Sequence, residues 1–210
     1  PSKDRQEPPC PVAYQCGGCQ LQHQEYESQL KFKQTLIQSE CESYPNLSSL
    51  TIQPTVPAQS NLEYRNKAQF VVHHTKTNTA SIRQVGLYAA NSHRVIDINY
   101  CHIQNPIIND VLKVLKTWVQ TSSVSIYNET THKGALRHVV VRVGATTKDI
   151  MVALVSTTPD LDTVELLAAL KKRAQSSDLG YTIKSILLNI NTKKTDTILG
   201  EQTQVLDGQS

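Results

Sequence analysis

Three cysteines within ten residues, Cys10-Pro-Val-Ala-Tyr-Gln-Cys16-Gly-Gly-Cys19, constrain this chain more than any other feature. The spacing is C-x5-C-x2-C. Two thiolates separated by two residues can face one centre from a single tight loop, and a third with five residues between closes a tripod. A tetrahedral metal or a four-iron cluster needs a fourth ligand. Of the two remaining cysteines, Cys101 is the better candidate. It follows a predicted strand in Asn99-Tyr100-Cys101-His102, where a turn can aim the thiolate outward, whereas Cys41 lies on a predicted helix with no ligand beside it. The Gly17-Gly18 pair predicts positive φ and a backbone that comes close to the metal. Spacing alone does not separate zinc from an iron–sulfur centre. His23 and His102 lie near the cysteines and would suit zinc, although each is more simply read as a surface or hydrogen-bonding histidine. Five cysteines are an odd count, and the start of the chain, Pro1 to Pro9, is polar and not a secretory leader. A reducing compartment, the cytoplasm, is therefore expected, where clustered cysteines hold metal more often than they form disulfides.

The 210 residues allow one domain or one and a half at roughly 150 residues per domain. A chain of this size buries about 70% of its unfolded surface. Its longest apolar run, Ile150 to Val155, has a strand's length and falls far short of the roughly 18 residues a membrane helix needs. A net charge of +3 is by itself a weak pointer to nucleic acid. Residues 1 to 23, with four prolines and the glycine pair, read as loop. Glu25 to Glu42 reads as a helix with a thin apolar stripe of Tyr26, Leu30 and Ile37, flanked by Leu36 and Cys41. Residues 43 to 60 read as a connector around a short strand candidate, Leu50 to Ile52. From Ala68 the pattern turns to period-2, β-branched segments. Strands are predicted at Ala68 to His74, Ser81 to Tyr88 and Val95 to Ile98. A helix follows over Asn105 to Thr121, with Asn105 as N-cap and Pro106 at its first position. Further strands are predicted at Val124 to Tyr127, Arg137 to Val143 and Asp149 to Ser156, the last two joined as a hairpin. A second amphipathic helix over Leu161 to Ala174, capped by Asp160, precedes strands at Ile183 to Ile190 and Thr197 to Leu199. The predicted class is α+β: a mostly antiparallel sheet with two amphipathic helices on one face, plus an N-terminal cysteine-rich metal-cluster loop.

At the cysteine motif the sequence resembles a known family. Pro8-Pro9-Cys10 … Cys16-Gly-Gly-Cys19-Gln20-Leu21-Gln22-His23, with Tyr26, Gln29-Leu30 and Lys33, resembles the iron–sulfur-containing RNA (uracil-5-)-methyltransferases, which include bacterial enzymes that make 5-methyluridine in 23S ribosomal RNA. The resemblance continues in Tyr64-Arg65-Asn66-Lys67-Ala68-Gln69-Phe70, Gly86-Leu87-Tyr88, Ser92-His93 and Cys101-His102-Ile103-Gln104. It runs on through Gly134, Leu136-Arg137-His138, Arg142 and Asn189-Ile190-Asn191 to Gly200. It implies that Cys10, Cys16, Cys19 and Cys101 bind a [4Fe–4S] cluster, and it gives Cys41 no role. It further implies three parts in the whole enzyme: an RNA-binding β-barrel, a cluster-bearing centre and an S-adenosylmethionine-dependent catalytic domain. This chain resembles the centre alone. Residues 1–24 are then the cluster loop. Residues 25–60 are a helix and connector that pack on a methyltransferase domain absent from this chain, and residues 61–210 are an α+β RNA-binding domain.

The chemistry needs a cysteine nucleophile for C6 of uracil, a base for the C5 proton and a methyl-donor site. A donor site of the usual kind needs a Gly-rich strand-to-helix loop. The eight glycines are scattered, only Gly17 and Gly18 being adjacent. The expectation is an excised piece that binds no S-adenosylmethionine and does not methylate alone. RNA affinity comes mainly from cations on phosphates, while sequence is read from splayed bases. Arg65 and Lys67, two apart at the start of a strand, share one face. With Lys133 and Arg137 they are expected on the RNA path, Asn66 reaching a phosphate or a base edge. Ribosomal RNA is the expected partner, with no membrane, and the expected state is a monomer. The alternatives are a transfer-RNA enzyme of the same family, or a non-catalytic zinc or iron–sulfur RNA-binding module.

Overall fold

Alternating, β-branched sequence from Lys67 onward builds one seven-stranded sheet. In the computed structural model, which describes residues 2–76 and 79–209, the elements run α1 (Tyr26–Glu42), β1 (Lys67–Lys76), β2 (Ser81–Tyr88), β3 (Val95–Asp97), α2 (Pro106–Thr121), β4 (Leu136–Val143), β5 (Asp149–Ser156), α3 (Val164–Gln175), β6 (Thr182–Ile190) and β7 (Gln202–Gly208). Strand order is β3-β2-β1-β4-β5-β6-β7. Each neighbouring pair is antiparallel except β5 and β6, which α3 joins as a crossover. The α+β class and the mostly antiparallel sheet are as expected.

Helices α2 and α3 cover one face. α2 follows its apolar stripe: Ile107, Ile108, Val111, Leu112, Leu115, Trp118 and Val119 are all buried. They meet Phe70 and Val72 of β1, Val139 and Val141 of β4, and Val152 and Leu154 of β5 in one continuous core. Its start is capped as predicted. The Asn105 Oδ1 accepts from the Ile107 N–H at 3.2 Å, and Pro106 occupies the first turn.

Four boundaries differ from the sequence reading. Leu50 to Ile52 is not a strand. Neither is Val124 to Tyr127, which makes a single bridge, Ile126 to Leu136. It folds back around Gly134, where φ is +104° and an added Cβ would lie 2.1 Å from the Ile126 carbonyl oxygen, so only glycine fits. Helix α3 starts at Val164, with Thr163 rather than Asp160 at the cap position and no side-chain cap bond. The final strand is Gln202–Gly208, not Thr197 to Leu199; residues 191–201 form a loop whose Ile198 packs against the small cluster of Val140, Ala153 and Val155.

α1 stands apart from this body. Leu30 is its buried residue, and Phe32, Leu36 and Ile37 are about half exposed. The connector returns along it. Gln34 Nε2 donates to the Ile52 carbonyl at 2.8 Å, Thr55 Oγ1 to the Leu30 carbonyl at 3.0 Å, and the Ala58 N–H to the Tyr26 hydroxyl at 2.8 Å. No helix is long and apolar enough to cross a membrane, among the described residues.

On the sheet face opposite α2, burial pushes His138 down to about 4, helped by the neighbouring Arg137 charge. The unfolded imidazole binds its proton near 6.5, so between these values the unfolded chain holds more protons. Stability is therefore complete above pH 6.5 and falls as pH drops towards 4, by about 3 kcal/mol from this group. Urea unfolding at pH 7 and pH 4.5 should show His138→Gln losing less stability than the parent by about that amount. Parallel pH profiles would refute it.

Candidate metal centre and basic groove

The cysteine loop is shaped by short local bonds. The Ala13 N–H donates to the Cys10 carbonyl at 3.1 Å, and the Cys16 N–H donates to the Val12 carbonyl at 2.8 Å. A bridge between Cys16 and Ala89, with the Gly17 N–H on the Tyr88 carbonyl at 3.0 Å, fastens the loop to the end of β2. The glycine pair does not use positive φ; that conformation is found at Gly134, Gly180 and Gly208. Gly17 is needed for closeness instead: a Cβ there would sit 3.1 Å from the Ala90 backbone.

Cys101 is held from α2. Its N–H donates to Asn109 Oδ1 at 2.8 Å, and Asn109 Nδ2 donates back to the Cys101 carbonyl at 3.2 Å. Asn109 is buried on α2 among mostly apolar residues, with Asp110 beside it. Sequence reasoning missed it; the available signal was an amide inside an apolar stripe. The segment before β1 then pairs with the residues after Cys101. The Glu63 N–H donates to the His102 carbonyl at 2.9 Å, the Arg65 N–H to the Ile103 carbonyl at 2.8 Å, and the Asn105 N–H to the Arg65 carbonyl at 2.9 Å. This pairing sets Arg65 beside the cysteines.

Cys10, Cys16, Cys19 and Cys101 line one enclosed pocket, together with Val12, Leu87, Ile98, His102 and Arg65. Cys41 is on α1, away from it, and His23 lines a different surface with Ser2, Asp4 and Arg5. Burial pushes the Cys101 thiol up, against N–H bonds from Ile103 and Gln104 that lower it. Burial also pushes Cys19 up, as does nearby Cys101, while Gln22 and Arg65 pull it down. Gln22 Nε2 donates to Cys19 Sγ at 3.2 Å and the Gly18 N–H to Cys16 Sγ at 3.4 Å, both favouring thiolate. As the side chains stand, no group of three or more His, Cys, Asp or Glu among the described residues is placed to hold a metal ion. A single tetrahedral ion would therefore require the thiols to move.

Arg65 also lines a neighbouring open groove with Asn66, Lys67, Gln69, Gln104 and Arg142. Lys67 and Arg142 are exposed and directly opposed in the β1–β4 ladder. Two cations side by side repel unless an anion lies between them. The long-range β pairing that brings Arg142 here is not visible in local spacing. Lys133 is exposed in the turn before β4. Arg137 is not on this surface. It is 3% exposed, and its guanidinium donates to the carbonyls of Asn191, Lys193 and Thr195. A register shift between Leu136 and His138 takes it out of the regular strand alternation, and it does not reach the expected RNA path.

No family model matches the sequence. A protein of Halalkalibacterium halodurans named an uncharacterized RNA methyltransferase is 38% identical over 208 residues, covering 99% of this chain and 43% of its own length. A second so named in that organism is 39% identical over 211 residues, 99% and 43%. One of Clostridium tetani is 35% identical over 209 residues, 100% and 43%. The chain thus spans less than half the length of these relatives. Among solved structures, the fold is shared with Pyrococcus abyssi tRNA (uracil-54, C5)-methyltransferase in complex with S-adenosyl-L-homocysteine. There the TM-score is 0.64 at 22% identity, over 95% of this chain and 42% of that one.

Proposed function

We propose that this chain is the RNA-contacting, [4Fe–4S]-holding part of an S-adenosylmethionine-dependent RNA (uracil-C5)-methyltransferase, acting as a cytoplasmic monomer on 23S ribosomal RNA. The observation that carries the reading is the meeting of four thiols, from the 10–19 loop and the 101 turn, in one pocket that shares Arg65 with a basic groove. The all-thiol donor set fits an iron–sulfur cluster. Burial holds the Cys19 and Cys101 thiols up, and the N–H groups aimed at Cys16, Cys19 and Cys101 partly offset it in favour of thiolate. The names of the relatives support the RNA methyltransferase class. The choice of ribosomal RNA follows the resemblance in the cysteine motif.

On this reading the bound cluster supplies a rigid four-point link, and methyl transfer draws no electron from it. Residues 10–19 and the 101 turn hold one wall of the RNA path. Arg65, Lys67 and Arg142 neutralise phosphates, with Asn66 in reach of the backbone and Lys133 extending the path. Attack on C6, removal of the C5 proton and methyl donation belong to residues outside this chain, which alone does not methylate. The half-exposed Phe32, Leu36 and Ile37 of α1 pack on that catalytic part.

Anaerobic purification with iron, sulfide and zinc assay tests the centre: about four irons per chain are expected, and one zinc would replace the cluster reading with a zinc module. RNA titration tests the groove. Arg65 borders the cysteines, so the groove is probed with the double variant Lys67→Glu, Arg142→Glu. The slope of log K against log salt should fall by about 1.4, the share of two phosphates on single-stranded RNA. An unchanged slope removes the groove from the RNA path. Tighter binding of transfer RNA than of ribosomal RNA fragments would reassign the substrate.

A further inference from the structure

Beside the basic groove lies a cavity of about 400 Å³ between the cysteine loop, the start of α1 and the 58–65 segment, within the size range of small-ligand pockets. Its walls combine neutral amides, two tyrosines and apolar side chains such as Leu62 and Ile103, with Lys33 and Arg65 as cations. Tyr64 is 54% exposed, an aromatic face left towards solvent. Gln29 is locked, its Nε2 donating to the Leu21 and Gln24 carbonyls at 3.1 and 2.9 Å, so its oxygen is left to accept. Gln22, on the wall shared with the cysteines, donates through Nε2 to Cys19, while its buried Oε1 has no hydrogen-bond partner. A buried acceptor without a donor costs about 1–3 kcal/mol and marks a place where a ligand donor belongs.

We propose that this cavity receives one unpaired nucleotide of the RNA, base inside and phosphate on Arg65. Fixed amides read the hydrogen-bonding edge of a base, and Tyr64 offers a stacking face. Arg65 lines both this cavity and the groove with Lys67 and Arg142, so the neighbouring phosphates run directly into that groove. The same geometry explains the mixture of chemistry: neutral where a base sits, cationic where the backbone leaves. The inference rests on the RNA-contacting reading above and adds to it a site for a base distinct from the uridine that is methylated.

The test uses the full chain, purified anaerobically, with two probes of equal charge: a single-stranded RNA decamer and a base-free ribose-phosphate decamer. The parent should prefer the RNA by about 5- to 100-fold, the worth of stacking one base. Tyr64→Ala should remove most of that preference while leaving both the base-free affinity and the salt slope in place. Tyr64→Phe, which keeps the ring, should retain the preference. Equal losses on the two probes, or an intact preference in Tyr64→Ala, would overturn the base site while leaving phosphate binding standing. Failure of both probes to bind the parent at low salt would overturn the RNA-contacting reading, and this inference with it.

Discussion

Arg137→Ala will destabilise the protein by about 3–5 kcal/mol, the combined cost of leaving buried carbonyls without their donor and of the void left behind. Its guanidinium holds the 191–201 loop down. Nη1 donates to the Lys193 carbonyl at 2.8 Å and the Asn191 carbonyl at 3.3 Å, and Nη2 donates to the Thr195 carbonyl at 3.4 Å. The group lies 4.4 Å from the centre of the Tyr127 ring, a favourable desolvated cation–π contact. Glu129, at 3.4 Å, is 46% exposed and adds little. Alanine would leave three carbonyls without this donor and open a void beneath them. Urea unfolding gives the magnitude, and hydrogen exchange should show residues 191–201 losing protection before the sheet does. Arg137→Lys should recover only a minor part, because one ammonium cannot span three carbonyls as a planar fork does. A cost below 1 kcal/mol would mean the loop is held by Asn191, whose Nδ2 donates to the Thr197 and Ile198 carbonyls at 2.7 and 2.9 Å.

The Arg137 case shows where local pattern stops being informative. Helix α2 was legible because its cap, its proline and its 3.6-residue stripe agree with its packing. The β4–β5 hairpin was legible for the same reason, with apolar residues on both sides of a five-residue turn. Arg137 was misread because strand alternation predicts a face only for a regular strand, and a bulge at its own position breaks the register. Arg142 needed knowledge of its partner: its role appears only when β1 lays Lys67 across from it. The cysteine spacing leads one to expect Cys10, Cys16, Cys19 and Cys101 in one place, and the four do line one pocket, though as the side chains stand no group of three or more among the described residues is placed to hold a metal ion. Asn109, which clamps the Cys101 peptide, is hidden in a mostly apolar helix face, where an amide carries no signal of what it touches.

Cys101→Ser should empty the proposed cluster site, iron falling from about four per chain to less than one after anaerobic preparation, while Cys41→Ser leaves it unchanged. The contrast follows from placement. Cys101 shares the enclosed pocket with Cys10, Cys16 and Cys19, whereas Cys41 lies on α1 outside it. Loss of the link should also loosen the fold. A cross-link from Cys19 to Cys101 closes a loop with 81 residues between its ends, and in the chain-entropy account such a closure removes about 4–5 kcal/mol of freedom from the unfolded state. Apart from that link, the 10–19 loop is held by Val12 on the main core, the Arg5 bond to the Tyr14 hydroxyl, the Gly17 bond to Tyr88 and the Cys16–Ala89 bridge. Hydrogen exchange in Cys101→Ser should therefore rise over residues 10–19 and at the 101 turn, with the β1–β4–β5 centre of the sheet unaffected. The Asn109 clamp offers the finer control, since Asn109→Ala leaves all four thiols in the chain but frees the Cys101 peptide. Iron bound with normal stoichiometry yet lost several-fold faster to a chelator would identify Asn109 as a positioning residue. If iron content survived Cys101→Ser and vanished in Cys41→Ser, the tetrad would have to be redrawn around α1, and the shared pocket would lose its claim to be a metal centre.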